Sequence, residues 1–180
     1  MNAKNLIAPI AALAIAAAVL FGASSALSGT AQSREEAARN EIMGYMLPGR
    51  PASFTEETYD GEDESIRRVF KAEDGYVLEL ETAGYAGPMM LWVGVTNEGR
   101  VSGLTVRDHG ETFGLGRGAQ TDVPFLIQFI GTSGEAAVGE NIDALTGATV
   151  TSKAVTRAVN SAAAFVTGAD VSSGATEWEG

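Results

Sequence analysis

The sequence predicts an α+β protein: an N-terminal transmembrane helix, then a domain with a mainly antiparallel sheet flanked by helices. Three observations carry this. Residues 5–33 hold no charged side chain and enclose an apolar run from Leu6 to Leu27. Residues 65–107 read as strand-like runs separated by short turns. Residues 146–167 repeat apolar positions at helical spacing.

The apolar run comes first. At 1.5 Å per residue, Leu6 to Leu27 would extend about 33 Å, enough for a bilayer core of about 30 Å. Pro9 falls in its first turns, where proline is tolerated. A secretory signal peptide is the competing reading, and Ser24-Ser25-Ala26 or Ala26-Leu27-Ser28 would serve as its cleavage site. The length favours an uncleaved anchor over residues 1–29. Lys4 and the terminal amine then stay inside, and the remainder is extracytoplasmic.

Composition narrows the rest. There are 12 Lys+Arg against 23 Asp+Glu, a net charge of -11, and every charged side chain except Lys4 follows residue 33. So acidic a surface repels phosphate backbones, which argues against nucleic acid as a partner. With Cys 0, disulfides, thiolate iron–sulfur sites, covalent c-type haem and a lipidated N-terminal cysteine are excluded. One His argues against a multi-histidine metal site. No metal site and no acid–base catalytic residue is predicted. Hydrophobic residues at 45% suffice for a packed core.

Residues 30–50 form a predicted stalk helix. Ala37, Ala38, Ile42, Met46 and Leu47 recur at three- and four-residue steps, and Pro48-Gly49 ends the pattern. Phe54 to Glu64 is acid-rich and reads as a solvated loop; it lacks the EF-hand spacing that calcium would require. Ser65–Ala72 and Tyr76–Ala83 flank Glu73-Asp74-Gly75 as a hairpin, with Tyr76, Leu78 and Leu80 on the buried face of a half-buried strand. Pro88–Thr96 is almost wholly apolar, as a central strand is. Met89, Met90, Leu91 and Trp92 are read as its core. Arg100–Arg107 alternates Val101, Gly103 and Thr105 against Ser102, Leu104 and Val106. Val123–Ile130 is a short helix buried on one side. Thr146–Thr167 is a longer helix with Val150, Ala154, Ala158 and Ala162 on its apolar face, and Lys153, Arg157 and Asn160 opposite. The domain thus spans 51–167, with a flexible acidic tail over 168–180.

The segment Asp143-Ala144-Leu145-Thr146-Gly147-Ala148-Thr149-Val150-Thr151-Ser152 packs hydroxyls around a helix start. One reading is structural, with Thr146 or Thr149 capping orphan N–H groups for about 1 kcal/mol. The other is an anion site: a helix N-terminus attracts phosphate, and Gly147 and Ala148 leave it room.

Asp143 to Thr149 resembles the Asp-x-x-(Ser/Thr)-Gly-Ala-Thr flavinylation motif of the covalent FMN-binding domain family. That family includes the G subunit of the Rnf electron-transport complex. Val150-Thr151-Ser152 is similar to its usual continuation. His109-Gly110-Glu111-Thr112-Phe113-Gly114-Leu115-Gly116 resembles the family's His-x-Glu-Thr-Pro-Gly-Leu-Gly loop, with Phe113 in place of proline. Gly84-Tyr85-Ala86-Gly87-Pro88 resembles its Gly-Tyr-x-Gly-Pro turn. The motifs stand in the family's order, and with the anchor and stalk the resemblance covers residues 1–167.

The resemblance implies FMN joined covalently by a phosphoester to Thr149, made by a separate flavin transferase from FAD with Mg²⁺. It implies a cofactor site of Thr149, Thr146, Gly147, Ala148, Thr151 and Ser152, with Glu111, Thr112, Leu115, Gly116 and His109 from the upstream loop. Leu115 would support the isoalloxazine, His109 would lie near the flavin or be merely exposed, and Asp143 would order the motif or assist the transferase's Mg²⁺. The expectation is a single-pass membrane flavoprotein, a subunit of an ion-translocating electron-transport complex partnered by other membrane subunits. A stand-alone extracytoplasmic FMN carrier and a non-redox scaffold domain are the alternatives.

Overall fold

Five antiparallel strands follow one another in chain order, because each is joined to the next by a turn too short to cross over. The computed structural model describes residues 33–109 and 118–168, without the side chains of 108 and 109. The predicted anchor (1–29), residues 110–116 of the Gly-rich loop, and the tail beyond Gly168 lie outside the described residues. The chain divides into compact units Met1–Asn40 and Glu41–Gly180. In the first, residues 33–40 are helical; they belong to a helix, α1, over residues 33–44. Among the described residues, no helix is long and apolar enough to cross a membrane.

The second unit holds the sheet: β1 (Thr55–Glu57), β2 (Ile66–Ala72), β3 (Gly75–Ala83), β4 (Pro88–Thr96) and β5 (Val101–His109). Helices α2 (Gly118–Thr121), α3 (Val123–Ile127) and α4 (Thr149–Thr167) follow. The architecture is the predicted mainly antiparallel sheet with helices. β4 has the predicted limits, and the β2–β3 hairpin turns on Glu73-Asp74 with Ala72 paired to Gly75.

The acidic segment corrects one expectation, since it contributes β1 rather than only loop. Its Glu56 accepts two hydrogen bonds from Arg68 (2.8 and 2.7 Å), and Glu57 lies 3.5 Å from Lys71. Opposite charges across the strand pair offset the low strand propensity of glutamate.

β3 is buried on both faces, not one. Leu78 and Leu80 join the main core with Leu91, Val93, Val95, Val155 and Val159. Val77, on the other face, packs with Phe70, Trp92, Met43, Met46 and Leu47. The end of α1 and the segment after it therefore cover the second face. Gly94 and Gly103 are paired beneath it, and a Cβ on Gly103 would lie 2.6 Å from Met46 Cα. Ser102 Oγ donates to the Met46 carbonyl at 2.7 Å. Trp92 Nε1 donates to Glu79 at 2.8 Å beneath the Arg107 guanidinium. Met89, Leu91 and Trp92 are core as expected, whereas Met90 is only partly buried.

β5 also departs from strict alternation. Its register slips at Ser102 and again at Arg107, so Val101 and Val106 share the main core face despite opposite parity.

α3 is shorter than predicted and ends at Ile127. Asp122 caps it by accepting from the Phe125 N–H at 3.0 Å. Phe125 and Phe129 are buried edge to face, whereas Val123, Ile127 and Ile130 are exposed.

α4 begins at Thr149, not Thr146, and ends at Gly168 with φ 67, a left-handed cap open to glycine. Its buried face is wider than predicted. Asn160, expected opposite the apolar stripe, is 5% exposed. Its Nδ2 donates to the Ala136 carbonyl at 2.8 Å, and its Oδ1 accepts from the Ala136 N–H at 3.1 Å. The amide replaces a missing strand partner for this loop residue, which explains why a polar group sits inside.

Replacing Asn160 by Ala should therefore cost about 1–3 kcal/mol, because both Ala136 groups lose their partners in a buried position. Urea unfolding of the two proteins measures this; an unchanged midpoint would show that the bridge contributes nothing.

Candidate functional site

The start of α4 is built from a tight turn. The Ala148 N–H donates to the Leu145 carbonyl at 3.0 Å, and Gly147 has φ 74. A positive φ at the third turn position is the type II requirement and explains the glycine. Leu145 and Ala148 point into the core, while Thr146, Gly147 and Thr149 are exposed.

Ser152 clamps this turn. Its hydroxyl is wholly buried, accepts from the Leu145 N–H at 2.9 Å and donates to the Ala148 carbonyl at 3.0 Å. One side chain thus ties both ends of the turn to the second turn of the helix. A second brace comes from α3's end. Gln128 Oε1 accepts from the Asp143 N–H at 2.7 Å, and its Nε2 donates to the Asp143 carbonyl at 3.4 Å. Asp143 is held through its backbone, and its side chain is exposed.

Neither threonine acts as the expected cap. Ala148 occupies the N-cap position, without a side-chain hydrogen bond, and Thr149 is the first helical residue. Among the described residues, nothing accepts from the backbone N–H of Thr149 or Val150. The exposed Thr149 hydroxyl therefore stands, among the described residues, beside N–H donors without a partner at the positive end of a 19-residue helix. Such an arrangement favours an anion.

The Gly84–Gly87 turn and His109, the first residue of the second motif, lie at one end of the sheet. Ala83 pairs with Pro88 across the Gly84–Gly87 turn, and Met89 pairs with His109, where the Gly-rich loop begins. Arg157 Nη2 donates to the Ala83 carbonyl at 3.3 Å, so the middle of α4 is tied to this end through a side chain. The C-terminal end of α4, at Thr167, meets Gly99 in the β4–β5 turn at the opposite end of the strands.

Of the predicted site residues, Thr146, Gly147 and Thr149 line the exposed surface of the turn, with Ala148 supporting it from below. Thr151 and Ser152 are buried, and Ser152 braces the turn. His109 closes β5 through its backbone, while Glu111, Thr112, Leu115 and Gly116 lie outside the described residues. Gln128 was not anticipated as part of the site. Its signal in the sequence is a lone amide within the otherwise apolar Val123–Ile130 run.

Residues 84–164 match the FMN-binding domain family. The match runs from the Gly84 turn into α4 and encloses the whole site. The chain is similar to the G subunits of ion-translocating oxidoreductase complexes. It is 41% identical over 99 residues to the G subunit of the proton-translocating ferredoxin:NAD(+) oxidoreductase complex of Clostridium ljungdahlii, covering 51% of this chain and 53% of that protein. It is 38% identical over 97 residues to the G subunit of the Na(+)-translocating ferredoxin:NAD(+) oxidoreductase complex of Acetobacterium woodii, covering 48% and 46%. Identity to the G subunit of the ion-translocating oxidoreductase complex of Methanosarcina acetivorans is 29% over 144 residues, covering 74% and 75%. The chain spans about half the length of the first two relatives.

Substituting Ser152 by Ala should leave the Leu145 N–H buried and unpaired, destabilising the domain by about 1–3 kcal/mol. Hydrogen exchange at Leu145 should accelerate by more than the global loss of stability explains. Equal acceleration at all core amides would remove the clamp.

Proposed function

We propose that this chain is a membrane-anchored electron-transport subunit of an Rnf-type ion-translocating complex, with FMN esterified through its phosphate to Thr149 Oγ1. The observation that carries this reading is the exposed Thr149 hydroxyl at the N-terminal end of α4, beside N–H donors that find no partner among the described residues, inside the segment that matches the FMN-binding family.

The residues present fit the group. The turn leaves Gly147 without a side chain where a phosphate must approach, and the helix end supplies donors and partial positive charge. Ser152 and Gln128 hold that turn from below and from the side. When bound, FMN supplies flavin redox chemistry, and the chain supplies position and electrostatics. Attachment requires a separate flavin transferase. Thr149 Oγ1 forms the new O–P bond to the FMN phosphorus of FAD, the pyrophosphate bond breaks, AMP leaves, and the hydroxyl proton is lost.

The N-terminal apolar run would be the single membrane span, with the FMN-binding domain outside the cytoplasmic membrane and other membrane subunits as partners. Tethering keeps the flavin at high local concentration where diffusion would otherwise carry it away.

Coexpression with a flavin transferase should add the mass of FMN minus water to the intact protein. Thr149→Ala should abolish the addition while leaving the fold intact by circular dichroism. A wild-type protein that stays unmodified under these conditions rules the reading out. Co-purification with polytopic subunits tests the assignment to a complex.

A further inference from the structure

Tyr85 is 74% exposed, the highest exposure among the large hydrophobic side chains of the described residues. It lies in the β3–β4 turn, which the Gly84 N–H closes by donating to the Gly87 carbonyl at 2.9 Å. Stability does not require a tyrosine there, because so exposed a ring buries little. Leaving an aromatic ring in water forgoes the burial that ordinarily makes such residues stabilising.

Its position is specific. Pairing of Ala83 with Pro88 and of Met89 with His109 puts the turn beside the start of the Gly-rich loop. The Arg157 bond to Ala83 ties the base of the turn to α4. Because Thr167 meets Gly99 in the turn at the opposite end of the strands, the Thr149 end of α4 is directed toward the Tyr85 end of the sheet. An exposed aromatic ring and an exposed esterification hydroxyl therefore share one end of the domain.

We infer that Tyr85 is a flavin-facing residue, offering its ring as a stacking surface to the isoalloxazine of FMN attached at Thr149. This rests on the proposed attachment. A planar, electron-poor ring system tethered by a flexible ribityl chain gains from an offset aromatic partner. Tyr85 acts as a positioning residue, limiting the orientations the tethered ring adopts.

Flavin fluorescence tests this, since a phenol in contact with excited flavin quenches it by electron transfer. The experiment uses purified protein whose intact mass shows one FMN. Tyr85→Leu and Tyr85→Phe should each raise the fluorescence yield several-fold, and Tyr85→Trp should keep it quenched. Leu and Phe variants that carry FMN and stay as dim as wild type would overturn the role of Tyr85 while leaving the attachment standing. Absence of FMN from wild-type protein would instead overturn the attachment, and the inference with it.

Discussion

The packing of α4 across β3 and β4 sets the position of everything at the candidate site. Ala154, Ala158, Ala162 and Ala163 face the sheet, and such small side chains let the helix axis lie close to the strands. Val155 and Val159 fill the space between. Because interiors are close-packed, the helix has little freedom to slide or turn. Its first residue is then fixed relative to the ends of β3 and β5, although those segments are distant in sequence. The Leu145–Ala148 turn inherits this rigidity through Ser152, which belongs to the same buried helix face.

Much of the sheet was legible because its strands obey local rules. β4 is continuously apolar and β2–β3 is a tight hairpin, so neither needs a distant partner to be recognised. β1 was hidden because Glu56 and Glu57 become strand residues only when Arg68 and Lys71 lie opposite. The second buried face was hidden for a similar reason. Val77 and Trp92 are covered by Met43, Met46 and Leu47, which an amphipathic stalk pattern alone does not place on the sheet. Slips at Ser102 and Arg107 broke the parity that alternation assumes.

At the site, the motif from Asp143 to Thr149 was legible by resemblance, and its exposed threonines stand where an anion would be met. The bracing was not. Gln128 meets Asp143 across 15 residues and Asn160 meets Ala136 across 24, and both use side-chain amides on backbone groups. Such pairs leave no periodic trace, since a backbone partner can be any residue type. What the sequence does show is a single amide inside each apolar run, and the structure gives that irregularity its reason. The buried Asn160 amide and the half-buried Gln128 amide both saturate a backbone that has no strand to pair with.

Magnitudes decide between a bound and a tethered flavin on the proposed reading. An exposed helix terminus stabilises an anion by about 0.3–1 kcal/mol. Micromolar retention of a free ligand needs about 8 kcal/mol. The chain's net charge of -11 works against an anion at longer range. The helix end can orient a phosphate but falls far short of retaining it. A covalent bond removes that deficit, because orientation is then all the protein must supply. A chain with no cysteine and a single histidine has no ligand set for a thiolate-held or multi-histidine redox centre. A threonine held at a rigid helix start asks only that another enzyme once form the ester.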